Sequence, residues 1–197
     1  MNLATNFLIA FIPIFVAMDA VGVLPFYVSI VEGLEKENRK KILYQAVITA
    51  GIVGILFIFL GKIVFNILGV TVADFKVAGG LILLVLSTND LLFADKKRRQ
   101  PNETPGAVPL GMPLIVGPAV LTALIVQVDH VGITTTVMAF AVNLIITFLI
   151  FASAGPIVKT LRKSGTQAVS KLANLLLAAI AVMTIRMGII EIVQSIP

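Results

Sequence analysis

Two stretches of this sequence set polar or backbone-breaking residues inside an otherwise apolar chain. In the first, Asp19 is followed by Ala20, Gly22 and Pro25 within the run 3–31. A carboxylate near the centre of a membrane span costs about 2.5–3.5 kcal/mol on insertion scales, which makes it by default a functional group. Pro25 has no N–H and leaves the carbonyl of Val21 without its helical donor, while Gly22 lets the backbone turn or another helix approach. Freed backbone groups at membrane depth are tolerated only when packed in protein or lining a wet cavity. These residues therefore read as a cation-seeking site, or alternatively as a proline kink with Asp19 protonated or paired to another helix.

The second stretch holds Pro109, Pro113, Gly117 and Pro118, more than one kink requires. A half-helix starting near Pro118 would leave the N–H groups of Val120, Leu121 and Thr122 free to meet an anion such as a carboxylate. Proline suits such a first turn, since its missing N–H would be unpaired there anyway. Thr122 adds a hydroxyl. The competing reading is a kinked but continuous helix. Further along, Asn143 stands between Thr136 and Thr147 at helical spacing, giving a mildly polar face turned toward the bundle or a cavity. Arg186 is the other costly charge, with three readings open: snorkelling to the interface, pairing with Asp19 or Asp90, or direct contact with a substrate carboxylate.

Helices must position these residues. The chain has 197 residues, 58% hydrophobic and 13% charged, with a mean hydropathy of +1.06; soluble domains run at roughly 45–50% apolar and about 25% charged. A water-soluble core is excluded. Six apolar runs, at about 3–31, 42–68, 76–94, 107–128, 131–157 and 169–193, are each long enough to cross a hydrocarbon layer of about 30 Å. They are uniformly apolar where a barrel strand would alternate, so the fold class is all-α integral membrane. The first run lacks the basic leader of a signal peptide and is too long for its apolar region, so it is expected to stay as a span. Spans two and three carry small residues suited to close helix approach, Ala46, Ala50 and Gly54 in one and Gly79 and Gly80 in the other.

Twelve of the fifteen Lys and Arg fall in three clusters between alternate spans, 36–41, 96–99 and 159–171. This is the signature of membrane topology, and it places those loops inside and both termini outside. The net charge of +5 therefore does not point to nucleic acid. There is no Cys, and the single His130 has no second His near it, so no thiol chemistry and no protein-ligated metal or other cofactor is expected. The G-x-x-x-x-G-K, H-E-x-x-H and G-x-S-x-G patterns are all missing, and an enzyme is not expected. A channel would usually show a filter loop or rings from identical pore helices, whereas this chain has two unlike interrupted helices.

The first three spans also echo the last three. DAVGVLPFYVSIV from Asp19 aligns with GPAVLTALIVQVD from Gly117, and KVAGGLILL from Lys76 with KLANLLLAA from Lys171. An odd-numbered repeat must insert its second copy upside down, which predicts two inverted three-helix halves, 1–94 and 107–197, joined by a charged connector at 95–106. Inverted repeats commonly build carriers whose site lies where interrupted helices of the two halves meet.

DAVGVLPF at 19–26, FKVAGGLILL at 75–84 and VPLGMPLIVGPA at 108–119 resemble the MarC family over essentially the whole chain. The family usually has Asn-Pro where this chain has Asp19-Ala20, and commonly a Gly where Ala119 stands. The resemblance implies a SnatA-type secondary transporter of small neutral amino acids such as glycine and alanine, in the plasma membrane of a prokaryote. Its residues would be Asp19, Ala20, Gly22 and Pro25 from one half, and Pro113, Gly117, Pro118, Thr122, Asn143 and Arg186 from the other. Coupling to H+ or Na+, transport direction and homo-oligomer formation stay open. The alternative is a non-transporting membrane protein or scaffold whose intramembrane charges serve helix packing.

Overall fold

The computed structural model describes residues 2–97, 106–154 and 163–195, and among these every regular element is helical. Helix α1 spans Leu3–Met18, α2 Ala20–Val31, α3 Lys36–Leu68 and α4 Val72–Lys97. A distorted helical segment, Gly106–Ile115, precedes α5 at Pro118–Val131; α6 covers Ile133–Ala152 and α7 Lys163–Ser195. Five stretches are long and apolar enough to cross a membrane: Leu3–Val31, Lys36–Leu68, Val72–Asn89, Ile133–Ala152 and Asn174–Ser195. The 14 residues of α5 rise only about 21 Å, short of a full crossing.

The helices bury one stripe and expose another that is equally apolar. On α1, Ala10, Ile14 and Met18 are buried at four-residue steps while Leu8, Ile12 and Val16 lie exposed. In water that outer stripe would be a liability; in lipid it needs no partner, and small residues and hydrogen bonds take over helix association. α4 lies along α7, with Gly80 in close contact: a Cβ there would come within 2.6 Å of Ile185 Cγ1 and 2.9 Å of the Ala181 carbonyl. Ala46, Ala50 and Gly54 of α3 are buried as the stripe predicts. α3 also packs on the 106–115 segment and α6, α1 on α5 and α6, and α2 on α7.

Both interrupted spans are broken, each in its own way. Span one is divided at Asp19, whose backbone is left-handed (φ 39°, ψ 51°), and not at either proline. Pro13 and Pro25 remain inside α1 and α2. Span four, over 107–128, is a half-helix from Pro118 preceded by an irregular segment, not a kinked continuous helix. Val108 (φ −131°, ψ 126°) and Met112 (φ −135°, ψ 128°) leave the helical region there, and Gly117 is extended as well (φ −97°, ψ −175°). All three precede a proline, whose ring excludes the helical conformation from the residue before it. The Met112–Pro113 peptide is cis. The basic residues Arg98, Arg99, Lys159 and Arg162 lie outside the described residues, as does most of the 95–106 connector; α4 runs on to Lys97 and Gly106 opens the next segment.

Candidate functional site

The two breaks meet a common cavity of about 580 Å3. Its walls are the end of α1 with Asp19, Lys76 and Leu83 of α4, Leu114, one face of α5 and one face of α7. On α5 that face is Ala119, Thr122, Ala123, Val126 and Gln127, the spacing of a single helical stripe. On α7 it includes Leu177, Ile180, Met183, Thr184 and Met187. The volume falls within the range of small-molecule sites, which are mostly apolar with a few polar groups that fix orientation. Here those groups are Asp19, Lys76, Thr122, Gln127 and Thr184.

Each polar group is held differently. The exposed Asp19 side chain accepts from the Gly22 N–H at 3.1 Å, so it caps α2 while facing the cavity. A Cβ at Gly22 would overlap the Asp19 carboxyl, so this cap requires glycine at that position. Lys76 is only 8% exposed and pairs with Glu191 across the α4–α7 contact. Thr122 and Thr184 donate to the Pro118 and Ile180 carbonyls, at 2.8 Å and 2.9 Å, one turn back on their own helices. Gln127 is 5% exposed, and among the described residues its Oε1 has no hydrogen-bond partner.

The start of α5 departs from expectation in one respect. The Leu121 N–H donates to the Gly117 carbonyl at 3.0 Å, so it is not free for a ligand. Thr122 lies a residue deeper in the helix, and the amides left over at this end are those of Ala119 and Val120. Gly117 provides no side-chain cap. A Cβ at Gly117 would overlap the Pro113 carbonyl oxygen, which explains why glycine stands there.

The sequence profile described as MarC family integral membrane protein matches residues 4–193. The chain belongs to the MarC family. It is 27% identical over 210 residues to a UPF0056 membrane protein of Methanocaldococcus jannaschii, covering 100% of this chain and 92% of the relative. It is 29% identical to a UPF0056 membrane protein of Archaeoglobus fulgidus, with 94% and 92% covered. To the UPF0056 membrane protein YhcE of Escherichia coli it is 26% identical, with 91% and 89% covered. No solved structure matches the chain. The protein is thus a multi-pass integral membrane protein of a family present in archaea and bacteria.

Within this MarC family member, the cavity unites two of the residues singled out from sequence, Asp19 and Thr122. Gly22, Pro113, Gly117 and Pro118 shape the two breaks behind its wall without lining it, and Ala20 and Pro25 lie in α2 away from it. Pro118 packs against Gly79, where a Cβ would overlap its ring. Asn143 is buried and does not line the cavity; its Nδ2 donates to the Ala139 carbonyl at 2.9 Å and the Phe11 carbonyl at 3.2 Å, tying α6 to α1. Arg186 is exposed on α7 and does not line the cavity. Among the described residues no ion pair joins it to Asp19, and the Asp90 side chain lies outside those described. Sequence reasoning missed Lys76 as a wall residue and missed Gln127 altogether. A glutamine inside the apolar run GPAVLTALIVQVD was the available signal for the latter.

Proposed function

We propose that this protein is a secondary carrier of small neutral amino acids, the glycine and alanine class, working by alternating access in a prokaryotic plasma membrane. The observation that carries the reading is the cavity bounded by both helix breaks. A zwitterion needs a cation-seeking group and an anion-seeking one; Asp19 supplies the first, and the uncapped start of α5 at Ala119 the second. The substrate class follows from the family resemblance, and Asp19 is the group we assign to coupling with H+ or Na+.

The carrier is built from inverted halves, 1–94 and 107–197, with six crossings, the fourth completed by the 106–115 segment. Two observations support this. Exchanging α1 with that segment, α2 with α5, α3 with α6 and α4 with α7 turns every substantial helix pairing into another observed pairing, apart from the slight contact of α4 with the 106–115 segment. Asp19 and Gly117, aligned with each other in the sequence repeat, both occupy the position just before a half-helix. Rocking of one half against the other would then expose the site to each side in turn.

The termini face outward, by the basic clusters. Lys62 and Lys76, the two lysines left toward the outer side, are paired with Asp129 and Glu191. In this orientation the cavity occupies the outer half, floored by the buried Leu83, Leu114 and Leu177, and corresponds to an outward-facing state. Cysteine labelling at positions 37, 100 and 163 should occur from the inside, and outside labelling at any of them would overturn the orientation. Counterflow of labelled alanine and glycine in proteoliposomes, with and without Na+ and a pH gradient, tests the transport itself. Uptake above empty liposomes is expected, and none in any arm would overturn the reading. The Lys76–Glu191 pair favours a second reading, a non-transporting protein in which intramembrane charges hold helices together. Thermal stabilisation of the purified protein by alanine separates the two, since only a binding protein is stabilised by its ligand.

A further inference from the structure

The cavity wall changes character along its depth. Pro118, the first residue of α5, packs on Gly79 of α4, which puts the α5 start at the level of Gly79. In the orientation proposed above, Lys76 stands three residues outward of that level on α4, and Thr122 and Gln127 lie four and nine residues outward of Pro118 on α5. Inward of it the wall is apolar. Leu83 is four residues further into α4 than Gly79, a rise of about 6 Å. Gly80 meets the Ala181 carbonyl, and Leu177 is four residues inward of Ala181 on α7, so the two leucines reach the same depth. Thr184 lies on the outward side of Ala181. Leu114, from the segment before α5, and Val23, one turn into α2 from Asp19, close the inner end. Leu83, Leu114, Leu177 and Val23 are 5%, 8%, 4% and 7% exposed. Among the described residues, no polar wall residue lies inward of the two helix starts.

We propose that Leu83, Leu114 and Leu177 are specificity-determining residues, which receive the side chain of the bound amino acid and set the chain length that the site accepts. The inference rests on the amino acid reading above and deepens it. An amino acid carries its ammonium and carboxylate on one carbon. With both held at the helix starts, beside Asp19 and Ala119, the side chain is the part of the ligand left to point elsewhere. Outward lie polar groups; inward lies apolar surface, where each CH2 taken out of water is favourable until the floor is met. The floor comes soon, because the Leu83 side chain leans toward the N-terminal end of α4 and so back toward the helix starts. A methyl group suits the space that remains. A chain of three or four carbons meets three buried leucines from three different elements, and a packed apolar wall resists added methylenes. The leucines thereby give a preference for small side chains within the neutral class its physical cause.

The test follows binding along the straight-chain series alanine, 2-aminobutyrate, norvaline and norleucine, by calorimetry on purified wild type, Leu114→Ala and Leu83→Ala. The wild type should bind alanine best and lose affinity along the series. Each variant opens room at the floor and should raise the norvaline-to-alanine affinity ratio by about tenfold or more, since a single methylene in a fitted pocket is worth roughly tenfold. The ratio compares two ligands of the same charge on one protein, so a general loss of folded protein cancels from it. The variants lie on separate elements, and either serves if the other does not fold; the wild-type series needs no variant. A ratio unchanged in the folded variants is what leucines that merely pack helices or close the inner end would give. That result would overturn the inference and leave the carrier reading standing. Wild-type affinity that rises through norleucine would do the same, because the floor would then limit nothing. Failure of the wild type to bind any member of the series would overturn the carrier reading and this inference with it.

Discussion

α2 begins at Asp19, whose backbone is left-handed and whose carboxylate takes the Gly22 amide. α5 begins at Gly117, whose backbone is extended and which has no side chain to offer. The first start is capped by a charge that belongs to the protein, which takes the Gly22 amide and opposes the positive end of the dipole, so the residue to be recognised by a cation is Asp19 itself. The second start has no such charge, so the partial positive charge at its end stays unopposed beside the cavity. Two helix starts that align in the sequence therefore differ in electrostatics. In the proposed carrier the difference gives the cavity two unlike ends, as a zwitterion needs and a symmetric pair of breaks would not supply.

The proline pattern differs too. In span one the residues before Pro13 and Pro25 stay helical, whereas in span four each residue before a proline is extended. A single proline per helix is absorbed by its neighbours, but three within ten residues leave no intact turn between them.

The comparison breaks most severely at Gly117. Gly117→Leu sets a side chain against the Pro113 carbonyl, a backbone group that cannot rotate away. It should lower stability by about 1–3 kcal/mol or more and abolish alanine binding, as measured by thermal unfolding in detergent and by ligand-induced stabilisation. Asp19→Ala comes next. It removes a cap worth about 0.5–2 kcal/mol and places alanine in a left-handed conformation that costs roughly 1 kcal/mol more. Asp19→Asn should lie near wild type in the same melts, because Asn both caps and tolerates that conformation. Its transport should nevertheless change its pH or ion dependence, having lost the charge. An Asn variant as unstable as the Ala variant would show that the charge, not the cap, holds the break. Gly22→Ala should cost less than Gly117→Ala, since the obstacle at Gly22 is a side chain that can turn aside, at the expense of the cap.

Much of this was legible in the sequence because membrane helices are chosen by length and hydropathy, two quantities a single sequence displays fully. The six apolar runs, the small-residue stripe of α3 and the buried polar face of α6 all follow from spacing within one helix. The place of the first break did not, since Pro25 is the conspicuous signal and Asp19 the actual one. A left-handed residue leaves little mark when it is not glycine. The cavity wall was least legible of all. Lys76, Gln127 and Met183 come from three helices, and nothing local to any of them encodes that α4, α5 and α7 converge.

The smallest effect tests the uncharged end. If the α5 start reads a carboxylate, alaninamide, which keeps the ammonium but loses the negative charge, should compete less well than alanine. A helix end rewards a negative charge by about 0.3–1 kcal/mol, and more when partly buried, so the expected ratio is about two- to fivefold at least. Lys76 lines the same cavity and could produce such a preference by itself, although Glu191 already occupies its ammonium. The double variant Lys76→Met with Glu191→Met removes both charges without leaving either unpaired, and separates the two sources. A preference for alanine that survives in the double variant belongs to α5; one that vanishes belongs to Lys76. Equal competition by alanine and alaninamide in the wild type would mean that neither end reads the carboxylate. The contrast between a charged break and a bare one would then be a matter of folding rather than recognition.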